Sequence, residues 1–117
     1  MQRLARPALQ AILDAIDGIQ AATAGKSLQS YSGDWLLKHA VERGIEIISE
    51  AARRVPPALR EQHPEIPWKQ IMAIGNILRH DYDRIVDRVI FEVVERDLPT
   101  LKDAIAAIES RLDEPGG

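Results

Sequence analysis

The apolar residues near the start of the chain recur at three- and four-residue spacing, as in a helix that buries one face. They are Leu9, Ile12, Leu13, Ile16 and Ile19. This spacing predicts a first helix from Leu4 to about Ala24, and Gly25 is predicted to end it.

A second helix is predicted to begin after Asp34, because an Asp side chain accepts hydrogen bonds from the free N–H groups of a first helical turn. Pro56-Pro57 ends it near Val55, and the small and polar residues 26–33 predict a loop before it. Its charged residues are expected on a solvated face. Its predicted buried residues are Leu36, Leu37, Ala40, Val41, Ile45 and Ile48.

Three further helices and one short helical turn are predicted in the second half of the chain. The turn, Ala58 to Gln62, lies in a proline-rich connector. A third helix is predicted from Pro67 to about Asp83 and a fourth from Arg84 to about Arg96. Asp97 is predicted to cap a fifth helix that ends near Leu112.

Length and composition agree with this helical pattern. The 117 residues suffice for one modest core, and the chain is 45% hydrophobic but only 4% aromatic, which favours helices over strands. Neither strand-like alternation nor an internal repeat is visible. We therefore predict one domain over residues 1–117, an all-α antiparallel bundle of four to five helices, since short connections make sequential helices antiparallel neighbours.

Charge and cysteine content narrow the function. The net charge of −3 gives no general attraction to nucleic acid, so any RNA contact must be local. The chain has no cysteine, which excludes a disulfide framework and agrees with a reducing compartment. No uncharged run approaches the length of a membrane span. We expect a cytoplasmic protein that makes no use of a membrane.

The residues with the clearest chemistry lie on the third predicted helix. At 100° per residue, Asn76, Arg79 and His80 fall on one side of it. A histidine can take a proton from a ribose 2′-hydroxyl or give one to a leaving oxygen, and a neighbouring cation stabilises phosphate charge. Such a site needs no cofactor and no metal. The chain's three histidines also lie on different predicted elements, without metal-ligand spacing.

Each of these residues also has a structural explanation. His80 can be a surface histidine, Asn76 can pair with a neighbouring helix rather than orient His80 or bind phosphate, and Tyr82 can be a core aromatic. Gly75 costs helix stability, about 1 kcal/mol relative to alanine. Either another helix approaches closely there, or Arg79, one turn later, lies across the space that Gly75 leaves.

The run from Gly75 to Tyr82 resembles the signature of HEPN ribonucleases, in particular the HepT-like toxins, in which an Arg precedes a His and then a Tyr. In this chain Gly75 stands at the position of that arginine. The segments Ala40–Ala52 and Ile66–Ile71 also resemble the second helix of HepT-like proteins and the lead into their catalytic motif.

The resemblance implies a helical bundle that forms a homodimer and cleaves RNA without metal in a cleft between two motif helices. It also implies a toxin that a nucleotidyltransferase antitoxin silences by transferring AMP to the motif tyrosine. Carried onto this chain, His80 is the catalytic acid or base, with Arg79 and Asn76 in the site and Tyr82 as the modified residue. Glu50 or Arg43 is a candidate for positioning these groups.

Two other functions remain open. One is a non-catalytic binding module that docks a nucleotidyltransferase partner, which Gly75 favours. The other is a purely structural bundle that keeps the motif for packing.

Overall fold

The computed structural model describes residues 2–80 and 86–112, with side chains described from residue 5 onward. All regular elements in this part of the chain are helical, which confirms the predicted all-α bundle. A π-helical turn, Val93–Asp97, joins the last two helices. The helices are α1 (Gln2–Thr23), α2 (Leu28–Ser32), α3 (Trp35–Arg54), α4 (Pro57–Arg60), α5 (Trp68–His80), α6 (Asp87–Glu92) and α7 (Leu98–Leu112).

The long helices form the core of the fold. Helix α1 packs against both α3 and α7, while α3 also packs against α5. The apolar spacing predicted for α1 is confirmed, because Leu9, Ile12 and Ile16 are fully buried. Helix α3 is therefore the element that connects the core to α5, the helix with the candidate chemistry.

The predicted end of α1 is confirmed, but the predicted loop after it is partly wrong. Gly25 has a φ of 75°, a left-handed conformation that glycine adopts without strain. Residues 26–33 then include the short helix α2. Ser27 and Ser30 form a reciprocal capping box at its start, and the fully buried Tyr31 packs its ring 5.4 Å from that of Phe91.

Helix α3 begins as predicted, because the Leu37 N–H donates to the Asp34 carboxylate over 3.0 Å. Two residues of its predicted apolar face are wrongly placed: Leu36 is 74% exposed and Ala40 is also exposed. They lie four residues apart, on one column of the helix. The buried face instead includes Glu42, which was expected in solvent.

The predicted turn near residue 58 is present as α4, and α5 begins one residue after Pro67. The predicted junction between the third and fourth helices lies outside the described residues. Asp97 does not cap a new helix, because the backbone stays helical through Leu98, whose N–H donates to the Val93 carbonyl. Pro99 lacks an N–H and would clash with the carbonyl four residues earlier, which explains the wider π-helical turn there.

Within the described ranges, no helix has both the length and the apolar character needed to cross a membrane.

Candidate functional site

The candidate residues lie on the C-terminal half of α5. Asn76, Arg79 and His80 are all exposed, whereas Gly75 and Leu78 are buried. The three polar residues predicted to share one side of the helix therefore all lie on its exposed surface. The buried side packs against α3.

Gly75 is required by close contact with α3. A Cβ atom at this position would lie 2.6 Å from the Cβ of Ser49, far inside normal contact distance. Ser49 is buried, and its hydroxyl donates to the Met72 carbonyl oxygen over 2.8 Å. The close-approach explanation of Gly75 is confirmed, and the alternative that Arg79 covers this glycine is wrong. At this helix spacing the position cannot hold an arginine.

Arg79 is instead held beside its own helix. Its Nη2 donates to the Oδ1 of Asn76 over 2.8 Å, and its Nη1 lies 3.9 Å from a carboxylate oxygen of Glu50 on α3. Asn76 therefore orients Arg79. Because Arg79 and Glu50 remain about half exposed, solvent screens their attraction and the guanidinium stays accessible.

His80 is exposed one helical turn after Asn76 and follows Arg79 directly. Tyr82, the predicted site of modification, lies outside the described residues. The other two histidines bond to residues outside α5: His39 to the Trp35 carbonyl, and His63 to Glu65. In the ranges 2–80 and 86–112, no group of three or more His, Cys, Asp or Glu side chains has a geometry that could hold a metal.

Of the two α3 residues suggested as positioning groups, only Glu50 faces the site. Arg43 lines a groove between α1 and α3 and pairs with Glu46 over 3.5 Å. Glu42 interacts electrostatically with Asp87 of α6. Burial raises the pKa of its carboxyl, although His39 and Lys38 act in the opposite direction.

Two further arginines contact α5 at Met72, and neither was predicted from the sequence. Arg53 donates to the Met72 carbonyl oxygen over 2.7 Å, and Arg60 Nη1 lies 3.5 Å from the Met72 sulfur. Arg53 lies four residues after Ser49, on the same face of α3, but nothing in the sequence predicted that this face meets α5. Arg60 comes from a separate helix, α4.

The exposed groups on α5 suit chemistry on a phosphodiester. An accessible imidazole transfers protons near neutral pH, and a guanidinium held in a fixed orientation binds phosphate oxygens through paired N–H donors. The Glu50 carboxylate partly offsets the positive charge of Arg79 but leaves the guanidinium exposed to solvent.

Comparison with known proteins gave concordant results. A family model described as "Ribonuclease HepT-like" matches residues 12–108. A protein of Caldanaerobacter subterraneus subsp. tengcongensis named "Putative RNase" is 32% identical over 88% of this chain and 92% of its own length. A "Probable ribonuclease HepT" of Thermococcus cleftensis is 33% identical over 87% of this chain and 93% of its own.

A longer relative from Methanocaldococcus jannaschii is named "Gamma-glutamylcyclotransferase and putative RNase". It is 36% identical over 91% of this chain, which spans only 48% of that protein. No solved structure gave a significant match.

Proposed function

Because the chain belongs to the HepT-like ribonuclease family, we propose that it is a metal-independent endoribonuclease toxin that cuts RNA in the cytoplasm. The observation that carries this proposal is the exposed His80 beside an Arg79 oriented by Asn76. This arrangement supplies both a proton-transfer group and a phosphate-binding cation.

The reaction we propose is transfer within the RNA backbone. The ribose 2′-oxygen attacks the adjacent phosphorus and loses its proton to one imidazole, the bond from phosphorus to the 5′-oxygen breaks, and the leaving oxygen receives a proton from a second imidazole. The products are a 2′,3′-cyclic phosphate and a 5′-hydroxyl. Arg79 stabilises the charge that develops on the phosphate oxygens.

A homodimer would supply both imidazoles as two copies of His80. An open apolar groove of about 300 Å³ between α5 and the segment from α6 to the π-helical turn supports such an assembly, and Ile74, Ile77 and Val89 are among its lining residues. Val89 in this lining is 45% exposed, and Val86, which precedes it on the same segment, is 57% exposed. A groove and exposed apolar side chains on one face suit a self-complementary two-fold contact.

We further propose that a nucleotidyltransferase antitoxin silences the activity by transferring AMP to Tyr82. Tyr82 follows His80 by two residues, so an added AMP would introduce a charged group next to the proton-transfer site. Co-expression with such an antitoxin, followed by intact-mass analysis, tests this regulation. A Tyr82→Phe protein should gain no mass and should stay active.

Cleavage itself is tested with purified protein, RNA and excess EDTA. We expect products with 2′,3′-cyclic phosphate ends, and His80→Ala should abolish them. Arg79→Ala should lower the rate by about a hundredfold, as for other groups that stabilise developing charge. His39→Ala is the matched control, because His39 is on α3 and its ring bonds to the Trp35 carbonyl. Unchanged cleavage by His80→Ala excludes the mechanism.

A binding module is the second candidate. It is favoured by Ser49, which leaves no room for an arginine at position 75, and by Glu50, whose carboxylate partly offsets the charge of Arg79. This function predicts that the wild type turns over no RNA at any concentration, while Arg79→Ala weakens binding of the nucleotidyltransferase partner.

A further inference from the structure

Two arginines converge on Met72, about two helical turns before His80. The Arg53 guanidinium reaches the Met72 carbonyl oxygen from the last turn of α3, with a distance of 2.7 Å. The Arg60 guanidinium reaches the Met72 sulfur from α4, with a distance of 3.5 Å. Their charges are therefore brought together at one residue by two different elements.

Neither arginine forms an ion pair with a carboxylate in the described part of the chain. Arg43 and Arg79 differ in this respect, because Glu46 and Glu50 lie within 4 Å of them. Two like charges held close together, neither in an ion pair with a described carboxylate, favour an anionic ligand, and the Glu61 carboxylate that lines the pocket beside Arg60 offsets only part of this charge. This matters in a chain whose overall charge is negative.

Both guanidiniums are also held in place before any ligand arrives. Arg60 Nε donates to the Val55 carbonyl over 3.1 Å, and Arg53 is fixed by its bond to Met72. A guanidinium has five N–H donors, so most of those on Arg53 are left for a ligand. Arg53 is exposed and Arg60 is half-buried, which gives an accessible group beside a more rigid one.

An open pocket of about 310 Å³ adjoins Arg60. Trp68 forms one of its walls, and its indole N–H is held by the carbonyls of Arg60 and His63, each at 3.0 Å. Nucleic acid bases stack on such fixed aromatic rings regardless of their sequence. The pocket is lined by Pro57, Arg60, Glu61, Pro64 and Trp68.

We propose that Arg53 and Arg60 bind a backbone phosphate of RNA and that the Trp68 pocket receives a base of the same strand. This inference rests on the proposed function in that the ligand is the RNA that His80 would cut. Met72 and His80 are eight residues apart on α5, or about 12 Å at 1.5 Å per residue. The strand would therefore run along α5, with the contacts at Arg53 and Arg60 lying outside the cleavage site.

The test measures binding of a fluorescein-labelled 2′-O-methyl oligonucleotide, which lacks the 2′-hydroxyl needed for cleavage. Arg53→Gln removes the charge and keeps a polar amide on the same aliphatic stem. Arg54→Gln is the matched control, because Arg54 is an exposed neighbour on the same helix and loses the same charge.

Arg53→Gln should weaken binding about fivefold, the effect of losing one charge-assisted contact at a solvated site. It should also reduce the slope of log Kd against log salt by about 0.7, the value for one phosphate of a single strand. Arg54→Gln should change neither quantity. In a Trp35→Phe protein, whose remaining tryptophan is Trp68, the oligonucleotide should quench the emission.

Equal affinities and salt slopes for Arg53→Gln and Arg54→Gln would overturn the inference, as would absence of oligonucleotide binding by the wild type. Wild-type binding without RNA cleavage would instead contradict the proposed endonuclease while leaving this site intact. Cleavage by a wild type whose affinity is insensitive to Arg53→Gln would remove this site alone.

Discussion

At the scale of single residues, the contact between Gly75 and Ser49 sets how closely α5 approaches α3. Ser49 is 1% exposed, so its side chain has little room to move away from an added methyl group. Gly75→Ala should therefore lower the free energy of unfolding by about 1–3 kcal/mol, the usual cost of overpacking. Urea denaturation measures this change through the midpoint at constant slope.

Gly18 provides the matched control for that experiment, because it lies inside α1 and an added Cβ would meet nothing within 4 Å. Gly18→Ala should raise stability by about 0.5–1 kcal/mol through helix propensity alone. If Gly75→Ala were equally stabilising, the close contact between α3 and α5 would not exist in solution.

Glu42 gives a pH-dependent prediction. Burial raises the pKa of its carboxyl above the ordinary value of 4.5, although Lys38 and His39 act in the opposite direction. The folded state then holds the proton more tightly than the unfolded state, so stability falls as pH rises through the raised pKa. Glu42→Gln should be more stable than wild type near neutral pH and lose that advantage at about pH 4. Thermal unfolding at the two pH values checks this, and an advantage that grew towards acid pH would contradict it.

The sequence placed Asn76, Arg79 and His80 on one side of a helix, since their relative positions depend only on 100° per residue. It did not predict which atoms they contact. The bond of Asn76 to Arg79 and the contact between Ser49 and Gly75 depend on side-chain conformations and on the spacing of two helices. The part of the site that lies within one helix was therefore predictable, whereas the contributions of Ser49, Arg53 and Arg60 were not.

At the scale of elements, predictions that relied on local chemistry were correct. Asp34 caps α3 and Gly25 follows α1, because each effect involves only a few neighbouring residues. The predicted cap at Asp97 was wrong because a π-helical turn accommodates Pro99 without a break in the backbone, but the fifth predicted helix is present as α7 and ends at Leu112 as expected. The loop predicted before α3 was partly wrong because burial of Tyr31 against Phe91, distant in sequence, favours a helical turn there.

The Asp34 cap is expected to contribute measurably to the stability of α3. Asp34→Ala leaves the Leu37 N–H without its partner and should cost about 1 kcal/mol, the typical value for an N-cap. Asp34→Asn should retain most of that stability, because asparagine caps equally well. Urea denaturation of both proteins makes the comparison, and equal losses would show that the charge of Asp34 rather than its cap is important.

At the scale of the whole molecule, α3 connects the core to the proposed site. One side of it packs on α1, and another holds α5 through Ser49 and Arg53. The net charge of −3 is a sum over the whole chain and does not describe the charge around α5. Arg53 and Arg60 contact α5 and Arg79 lies on it, so positive charge is gathered around this helix, although Glu50 offsets part of it beside Arg79.

Assembly gives the last prediction. If the groove between α5 and α6 forms the contact between two copies, Val89→Asp should produce a monomer, because a charge would be buried in the contact. Light scattering measures the mass, and RNA cleavage should fall with it even though His80 is intact. Leu36→Asp is the control, since Leu36 is also highly exposed but belongs to α3 and does not line the groove. A Val89→Asp dimer with full activity, or dissociation caused by Leu36→Asp instead, would place the contact on another face.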